Sequence, residues 1–305
     1  MMRVLLTGVT GQVGGALCAP LSKIGTVMAA DRSILDLSSP DSIEPKLGAM
    51  APDLIINAAA YTAVDDAEDE RGLAYCINAT APGILARWAS GHNVPIVHFS
   101  TDYVFDGSGH QPWREDDPTA PLSFYGSSKL VGEKSVRDAG GNHLIIRTSW
   151  VFASKGKNFL RTIARIARQQ TQLRVVDDQF GAPTSAHSIA QCVVSLLDSD
   201  IVTIRQSFER SGGLVHLASR EDTSWYGFAN AIVKGLSDRG VDLAAKQVIP
   251  INSNDFPTKA KRPKNSRLDL SRLADVFGVI TPRWQDSLDR ELDEWVRHER
   301  RPEDV

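Results

Sequence analysis

Cysteine is scarce in this chain. Cys18, Cys76 and Cys192 are the three in 305 residues, and they form no Cys-x-x-Cys pair and no Cys/His cluster. Such a sparse, odd set argues against a redox or metal-binding role and fits small buried thiols in a reducing compartment. An excess of basic charge is missing too. Thirty-four Lys and Arg stand against 37 Asp and Glu, for a formal net charge of -3. Neither nucleic acid nor a membrane surface is therefore expected as a partner. No apolar run reaches the length of a membrane-spanning helix. The opening Met-Met-Arg-Val-Leu-Leu passes straight into a strand-like run, without the apolar region of a secretory leader. A cytoplasmic location is expected. Internal repeats and low-complexity segments are absent.

What is present is ordinary for a folded protein: 42% apolar and 23% charged residues, in a chain long enough for two lobes that share a cleft. The first half alternates short apolar strands with amphipathic helices. Strands are predicted at Val4-Leu5-Leu6, 27–30, Leu54-Ile55-Ile56, 96–99 and Leu144-Ile145-Ile146. Helices are predicted from Gln12 to about Lys23, after Pro40 with Ser39 as N-cap, over about 71–91 with Pro82 as a kink or break, and from Phe124. Strands that are apolar throughout and alternate with helices read as a parallel sheet covered on both faces. The expected fold is α/β: a doubly wound parallel sheet (Rossmann) with a smaller C-terminal substrate-binding lobe. The dinucleotide-binding domain is expected at 1–150 and the substrate lobe mainly at 151–305. Val175 and Val215-His216-Leu217 are candidates for strands that return to the main sheet. Further helices are predicted near 157–170, 186–198, 224–237 and 285–299, and a loop over 250–268. The stripe Leu288, Leu292, Trp295 and Val296 has the spacing of a core-facing helix.

The turn Thr7-Gly8-Val9-Thr10-Gly11-Gln12-Val13-Gly14 follows the first strand and opens the first helix. Gly8, Gly11 and Gly14 lack the β-carbon that would keep backbone N–H groups from a pyrophosphate, and the helix N-terminus favours the same anion. Asp31 ends the second strand, where a carboxylate can accept from an adenosine ribose and so favour NADH. Arg32 follows, and a guanidinium there can instead hold a 2′-phosphate, as NADPH requires. Asp36-Leu37 borders the same region, and Asn57-Ala58-Ala59-Ala60 places small residues at the carboxyl end of the third strand.

Of five tyrosines, Tyr125 alone has a lysine four residues on, Lys129, and on a helix the two share one face. The hydroxyl run Ser100-Thr101 ends the fourth strand, on the edge where ligands bind in this architecture. These positions predict a carbonyl reductase. Tyr125 protonates the oxygen as hydride arrives, Thr101 orients that oxygen, and Lys129 favours the phenolate left behind.

These residues resemble the extended short-chain dehydrogenase/reductase superfamily. Six blocks narrow the resemblance to its dTDP-4-dehydrorhamnose reductase branch. They are 60–65 (AYTAVD), 100–107 (STDYVFDG), 125–133 (YGSSKLVGE), 147–152 (RTSWVF), 178–184 (DQFGAPT) and 262–269 (RPKNSRLD), in family order over nearly the whole chain. The resemblance implies reduction of dTDP-4-dehydro-L-rhamnose at C4. It also implies a nicotinamide-cofactor site at Gly11, Gln12, Val13, Asp31, Asp36, Leu37, Ala60, Tyr61, Thr62, Phe99, Tyr125 and Lys129. Thr101, Asp102 and Trp150 match positions that hold the sugar nucleotide. Related sugar-nucleotide dehydratases carry Thr-Asp-Glu after the fourth strand. Here the run is Thr101-Asp102-Tyr103, and the missing carboxylate argues against dehydration. Arg262 lies in a cationic loop that can meet the substrate's pyrophosphate.

Some relatives dimerise through glutamates around Mg²⁺. The matching positions here are Ala16 and His187, neither suited to a hard cation, so the Mg²⁺ that the resemblance allows is not expected to bridge a dimer, and the chain is read as a monomer or a homodimer. Two other readings remain at this point: a reductase or epimerase of another nucleotide sugar, and a regulatory subunit of the same family that binds a dinucleotide without turnover.

Overall fold

The computed structural model describes residues 1–299. In the first half the chain runs β1 (Met2–Thr7), α1 (Gln12–Leu21), β2 (Gly25–Ala30), α2 (Ile43–Met50), β3 (Leu54–Asn57), α3 (Arg71–Tyr75), α4 (Ala81–Gly91), β4 (Ile96–Thr101), α5 (Phe124–Asp138) and β5 (His143–Thr148). It continues with β6 (Val151–Phe152), α6 (Phe159–Ala167), β7 (Gln172–Val176), β8 (Phe180–Gly181), β9 (Thr184–Ser185), α7 (Ala186–Leu197), α8 (Ile201–Arg210) and β10 (Leu214–His216). Then come β11 (Thr223–Ser224), α9 (Trp225–Asp238), β12 (Gln247–Ile251), β13 (Asn265–Ser266), α10 (Ser271–Phe277) and α11 (Trp284–Glu299).

The main sheet is six-stranded and parallel, in the order β10-β5-β4-β3-β1-β2. Alternate strand residues feed two cores, one on each face. Val4, Leu6, Ile56, Val97 and Ile146 meet α1 and α7 on one face. Leu5, Ile55, Ile96 and Ile145 meet α2 and α4 on the other. Two-sided burial is why these strands read as unbroken apolar runs. The order reverses between β1 and β3, and the carboxyl ends there open the crevice in which such sheets bind ligands.

A third core joins α6, α9 and α11 through Leu160, Ile163, Phe228, Ile232, Leu288 and Leu292. Trp295 and Val296 are buried in it, as the C-terminal stripe predicts. Of the two later segments expected to return to the main sheet, Leu214–His216 does so beside β5. Val175 does not: β7 pairs with β12 in a separate two-stranded sheet. Its alternation of exposed Gln172 and Arg174 with buried Leu173 and Val175 belongs to a strand covered on one face only. The 250–268 segment is not all loop, since β12 runs to Ile251 and β13 spans Asn265–Ser266.

Helix ends differ from expectation in two places. Ser39 makes no side-chain cap for the turn that follows Pro40. The 71–91 stretch is helical throughout but passes through a π-helical turn over Cys76–Thr80, and Pro82 follows directly after that turn at the start of α4. The helix α8, not predicted, is capped by Asp200 and buries only Ile204 and Phe208 of its apolar face along with Ser207, too sparse a stripe to recognise. Residues 300–305, the end of the expected second domain, lie outside the described residues.

Candidate active site

The glycine turn is built by close approach. Gly8 has φ +71°, and a β-carbon there would lie 2.6 Å from the backbone nitrogen of Ala59 at the end of β3. A β-carbon on Gly14 would lie 2.2 Å from the Gly8 carbonyl oxygen. Gly14 therefore faces the turn rather than the cleft, and presses α1 against it. Its expected contact with the cofactor becomes a packing role. The Gly11 N–H donates to Gly8 O at 2.9 Å, which closes the turn over the N-terminus of α1. Gly14→Ala is expected to displace α1 at an overpacking cost of about 1–3 kcal/mol. Dinucleotide affinity, measured by fluorescence titration, should fall about tenfold or more for that loss. Unchanged affinity would contradict this account of the turn.

A cleft of about 570 Å³ runs from this turn along the carboxyl ends of the strands. Gly8, Gly11, Gln12 and Val13 line it at the turn, and Asp31, Arg32, Asp36 and Leu37 line it beyond β2. Ala60, Thr62, Phe99, Tyr125 and Lys129 line its middle, and Thr101, Asp102, Trp150 and Arg262 its far part. Tyr61, expected among them, is not a lining residue. Its hydroxyl donates to Glu70 at 3.0 Å and its N–H to Asn78 Oδ1 at 2.8 Å, which turns it toward α3. Asp31 accepts through Oδ1 from Ser33 N, Ser33 Oγ and Ile34 N at 2.9, 2.6 and 3.3 Å. Asp36 accepts through Oδ1 from the N–H and hydroxyl of Ser38. The serine hydroxyls and these N–H groups hold both carboxyls below the usual carboxylate range, so the part of the cleft beyond β2 is lined by anions and by the exposed Arg32.

Tyr125 and Lys129 lie on α5, whose N-cap Ser123 accepts from Gly126 N. Both are buried, yet both border the cleft. Burial raises the Tyr125 phenol above its ordinary range, with Thr101 acting in the opposite direction. Lys129, expected to favour phenolate, is held instead by β4: Nζ donates to Phe99 O at 2.6 Å and lies 3.4 Å from His98 Nε2. Burial lowers its ammonium to about 8, opposed by the Glu133 carboxylate. In this arrangement the phenol keeps its proton at neutral pH, which a donor to a carbonyl oxygen needs.

Asp102 follows Thr101 directly and is 2% exposed. Its Oδ1 accepts from the Thr101 hydroxyl at 3.2 Å, while Oδ2 is buried without a partner. Burial pushes this carboxyl up to about 7, against the opposing effect of the Ser266 and Thr101 hydroxyls. A raised acid binds its proton more tightly folded than unfolded. Its contribution is therefore most favourable below the unfolded pKa, near 4, and is lost as pH rises to about 7. Asp102→Asn is accordingly expected to stabilise the protein by a few kcal/mol above pH 7 and to change little at pH 4, read as Tm against pH. Equal Tm shifts at both pH values would contradict it.

Trp150 adopts φ +48°, a left-handed conformation that is unusual for so large a residue. Its ring stacks on Trp225 at 3.6 Å between centroids, with planes 8° apart. Arg262 is less free than the sequence implies: Nη2 donates to Asp65 at 2.6 Å and Nη1 to the Tyr103 hydroxyl at 3.3 Å. Its neighbours Lys259 and Lys264 are ion-paired to Asp69 and Asp178.

Several lining residues escaped the sequence argument. Trp225 opens α9, and nothing local links it to Trp150. Asn158 donates to Gln12 Oε1 at 3.0 Å and accepts from Arg161 N, so it joins the glycine turn to the start of α6. Its position before an apolar helical run is an N-cap signal, but the contact with Gln12 exists only in the fold. Among the described residues no group of three His, Cys, Asp or Glu side chains can hold a metal. Among the same residues no helix is long and apolar enough to cross a membrane.

Residues 2–297 match the family model described as RmlD substrate binding domain. A dTDP-4-dehydrorhamnose reductase of Burkholderia thailandensis is 42% identical over 288 residues, which cover 93% of this chain and 96% of that protein. One from Escherichia coli K12 is 39% identical over 297 residues, covering 96% and 98%. A crystal structure of the Bacillus anthracis dTDP-4-dehydrorhamnose reductase in complex with NADP superposes with a TM-score of 0.86 at 31% identity, over 96% of this chain and 99% of that one.

Proposed function

The chain belongs to the RmlD substrate binding domain family, that of the dTDP-4-dehydrorhamnose reductases, and from that premise we propose how its cleft carries out an NAD(P)H-dependent reduction. The substrate is dTDP-4-dehydro-L-rhamnose, and its C4 keto group becomes an alcohol to give dTDP-L-rhamnose. The observation that carries this reading is the meeting of Thr101, Tyr125 and Lys129 in one cleft with the glycine turn. NAD(P)H supplies the hydride when bound.

The residues present fit such a cofactor. Gly8, Gly11, Gln12 and Val13 line the cleft where α1 begins, so the helix N-terminus borders the space a pyrophosphate would take. Asp31, Arg32 and Asp36 would meet the adenosine end, and Lys129 the nicotinamide ribose. Thr101 orients the substrate oxygen, and Tyr125 gives it a proton. Lys129, one helical turn from Tyr125 on α5 and lining the same cleft, would offset the charge that forms on the phenolate. Asp102 would bind sugar hydroxyls through its unpartnered Oδ2. Trp150 and Arg262 would hold the rest of the sugar nucleotide, on the lobe formed by the chain beyond residue 150. Mg²⁺ does not fit the site suggested by relatives, because Ala16 and His187 offer no carboxylate, and the protein is taken as a monomer or an unbridged homodimer.

Competition between dTDP- and UDP-linked 4-keto-6-deoxyhexoses tests the substrate. The dTDP sugar should be reduced with the higher kcat/KM. Preference for the UDP sugar would replace this substrate with another nucleotide sugar. Tight binding of a partner enzyme with no turnover of either would instead favour the regulatory reading.

A further inference from the structure

Two strand ends and the middle of a third strand stand side by side where Lys129 reaches the sheet. The parallel register sets Thr7 beside Asn57, and Asn57 beside His98. All three are buried, and their side chains form a continuous row. Thr7 Oγ1 is 2.7 Å from Asn57 Oδ1, Asn57 Nδ2 is 3.1 Å from His98 Nδ1, and His98 Nε2 is 3.4 Å from Lys129 Nζ. The row ends where Nζ donates to Phe99 O. At its other end the Ala59 N–H donates to Thr7 Oγ1 at 3.3 Å.

Every link in a buried row needs one donor and one acceptor. A neutral imidazole has one of each, so the row has two consistent settings. When Lys129 is an ammonium it donates to His98 Nε2. His98 Nδ1–H then donates to the Asn57 carbonyl oxygen, and the Asn57 amide donates to Thr7 Oγ1. When Lys129 is an amine its lone pair can accept, and the reversed setting becomes available: Nε2–H donates to Lys129, Nδ1 accepts from the Asn57 amide, and the Thr7 hydroxyl donates to Asn57. The amide exchanges its oxygen and nitrogen between settings with no change in shape. An imidazolium would fit neither, and burial together with Lys129 holds His98 well below its ordinary value.

We propose that His98 is a positioning residue for Lys129, with a tautomer that follows the charge on Lys129 and transmits it across three adjacent strands to the Thr7 hydroxyl at the glycine turn. The inference rests on the reading above in one respect, that Lys129 serves the reduction as an ammonium. In that setting Thr7 Oγ1 already accepts from both Ala59 and Asn57. Its own proton is then free to turn toward the cleft it lines, where an anionic pyrophosphate can accept it. The charge that supports Tyr125 and an added donor at the turn thus appear together. The titratable groups near Lys129 are His98 from β4 and Tyr125 and Glu133 from α5. Arg147 from β5 is tied to Glu133, and Asp102 acts on Tyr125. With the ammonium lowered to about 8, the reversal falls within a measurable range.

The test is ¹⁵N NMR of histidine-labelled whole protein across a pH series, with His98→Gln to identify the resonances. The expected result is protonation at Nδ1 on the acid side and at Nε2 on the alkaline side, with a midpoint near 8. Lys129→Met should remove the step. A single tautomer throughout, an imidazolium near neutral pH, or a step that survives in Lys129→Met would overturn the proposal. A second readout is the pH dependence of reduced-cofactor affinity. His98→Phe takes away the acceptor of the ammonium, so the alkaline limb should move toward neutral by about one pH unit, the size of one charge-assisted hydrogen bond. His98→Gln keeps a reversible amide and should restore the limb. A limb that does not move in His98→Phe counts against the coupling. If that variant does not fold, the tautomer series on the wild-type chain decides alone. Absence of any sugar turnover alongside an intact tautomer step would count against the reductase reading and leave the row standing.

Discussion

Replacing Tyr125 by Phe is expected to lower turnover by about 10²–10⁴-fold, the range of a lost general acid, while affinity for the reduced cofactor stays close to wild type. The side chain is 9% exposed and borders the cleft, so removing one oxygen leaves the packing of the ring in place. Its edge contact with Tyr103, 5.5 Å between centroids, survives too. Burial keeps the phenol protonated, so the wild-type rate should not require a tyrosinate at neutral pH. The prediction is checked by steady-state rates and by cofactor titration on the same preparation. A Phe variant that turns over at the wild-type rate would remove Tyr125 from the mechanism. One that also loses cofactor affinity would give it a binding role.

The second large effect concerns stability. Directly behind Ser100 and Thr101, Glu133 accepts from Arg147 Nε and Nη2, each at 2.8 Å, and from the Ser100 hydroxyl at 2.6 Å. Arg147 and Glu133 are 2% and 1% exposed. The Arg147 guanidinium also sits over the Phe105 ring, 5.0 Å from its centroid, and donates to Glu115 O. Removing the carboxylate strands a cation in a dry site, which costs about 3–5 kcal/mol when one partner of a buried pair is lost. Glu133→Ala should therefore lower the unfolding free energy by that amount in chemical denaturation. Glu133→Gln, which still accepts from Ser100 and Arg147, should cost less. A loss under about 1 kcal/mol for the alanine variant would mean that the pair contributes like an exposed one. The pair ties α5 to β5 beneath Thr101, so the same variant should also disturb the alignment of the Thr101–Tyr125 pair.

Much of this site is legible in the sequence because it is written in local terms. The glycine turn lies between a strand and a helix, Tyr125 and Lys129 share one helical face, and Thr101 ends a strand. Each pattern states its own structural context, and the cleft contains them. The five apolar runs of the first half became strands of the main sheet for the same reason, since two-sided burial leaves an unbroken apolar signature.

What the sequence hides is decided across the chain. Val175 and Val215 both sit in short apolar runs, yet only Val215 enters the main sheet, because the choice depends on which neighbour each strand finds. Gly14 reads as a phosphate contact and turns out to press on Gly8, since spacing alone does not tell a ligand-facing glycine from a packing one. The stack of Trp150 on Trp225 and the bond of Asn158 to Gln12 join residues that no periodicity relates. The ammonium of Lys129 is the most instructive case. Helical spacing aims it at Tyr125, but burial beneath β4 directs its hydrogen bonds to Phe99 and His98.

The most direct measurement on the central claim is reduction of dTDP-4-dehydro-L-rhamnose with a nicotinamide cofactor deuterated at its transferable position, followed by mass and NMR analysis of the product. The wild-type chain should yield dTDP-L-rhamnose with deuterium at C4 at a rate that collapses in Tyr125→Phe. Oxidation of the cofactor without deuterium at C4, or equal labelling rates in the two proteins, would contradict the account.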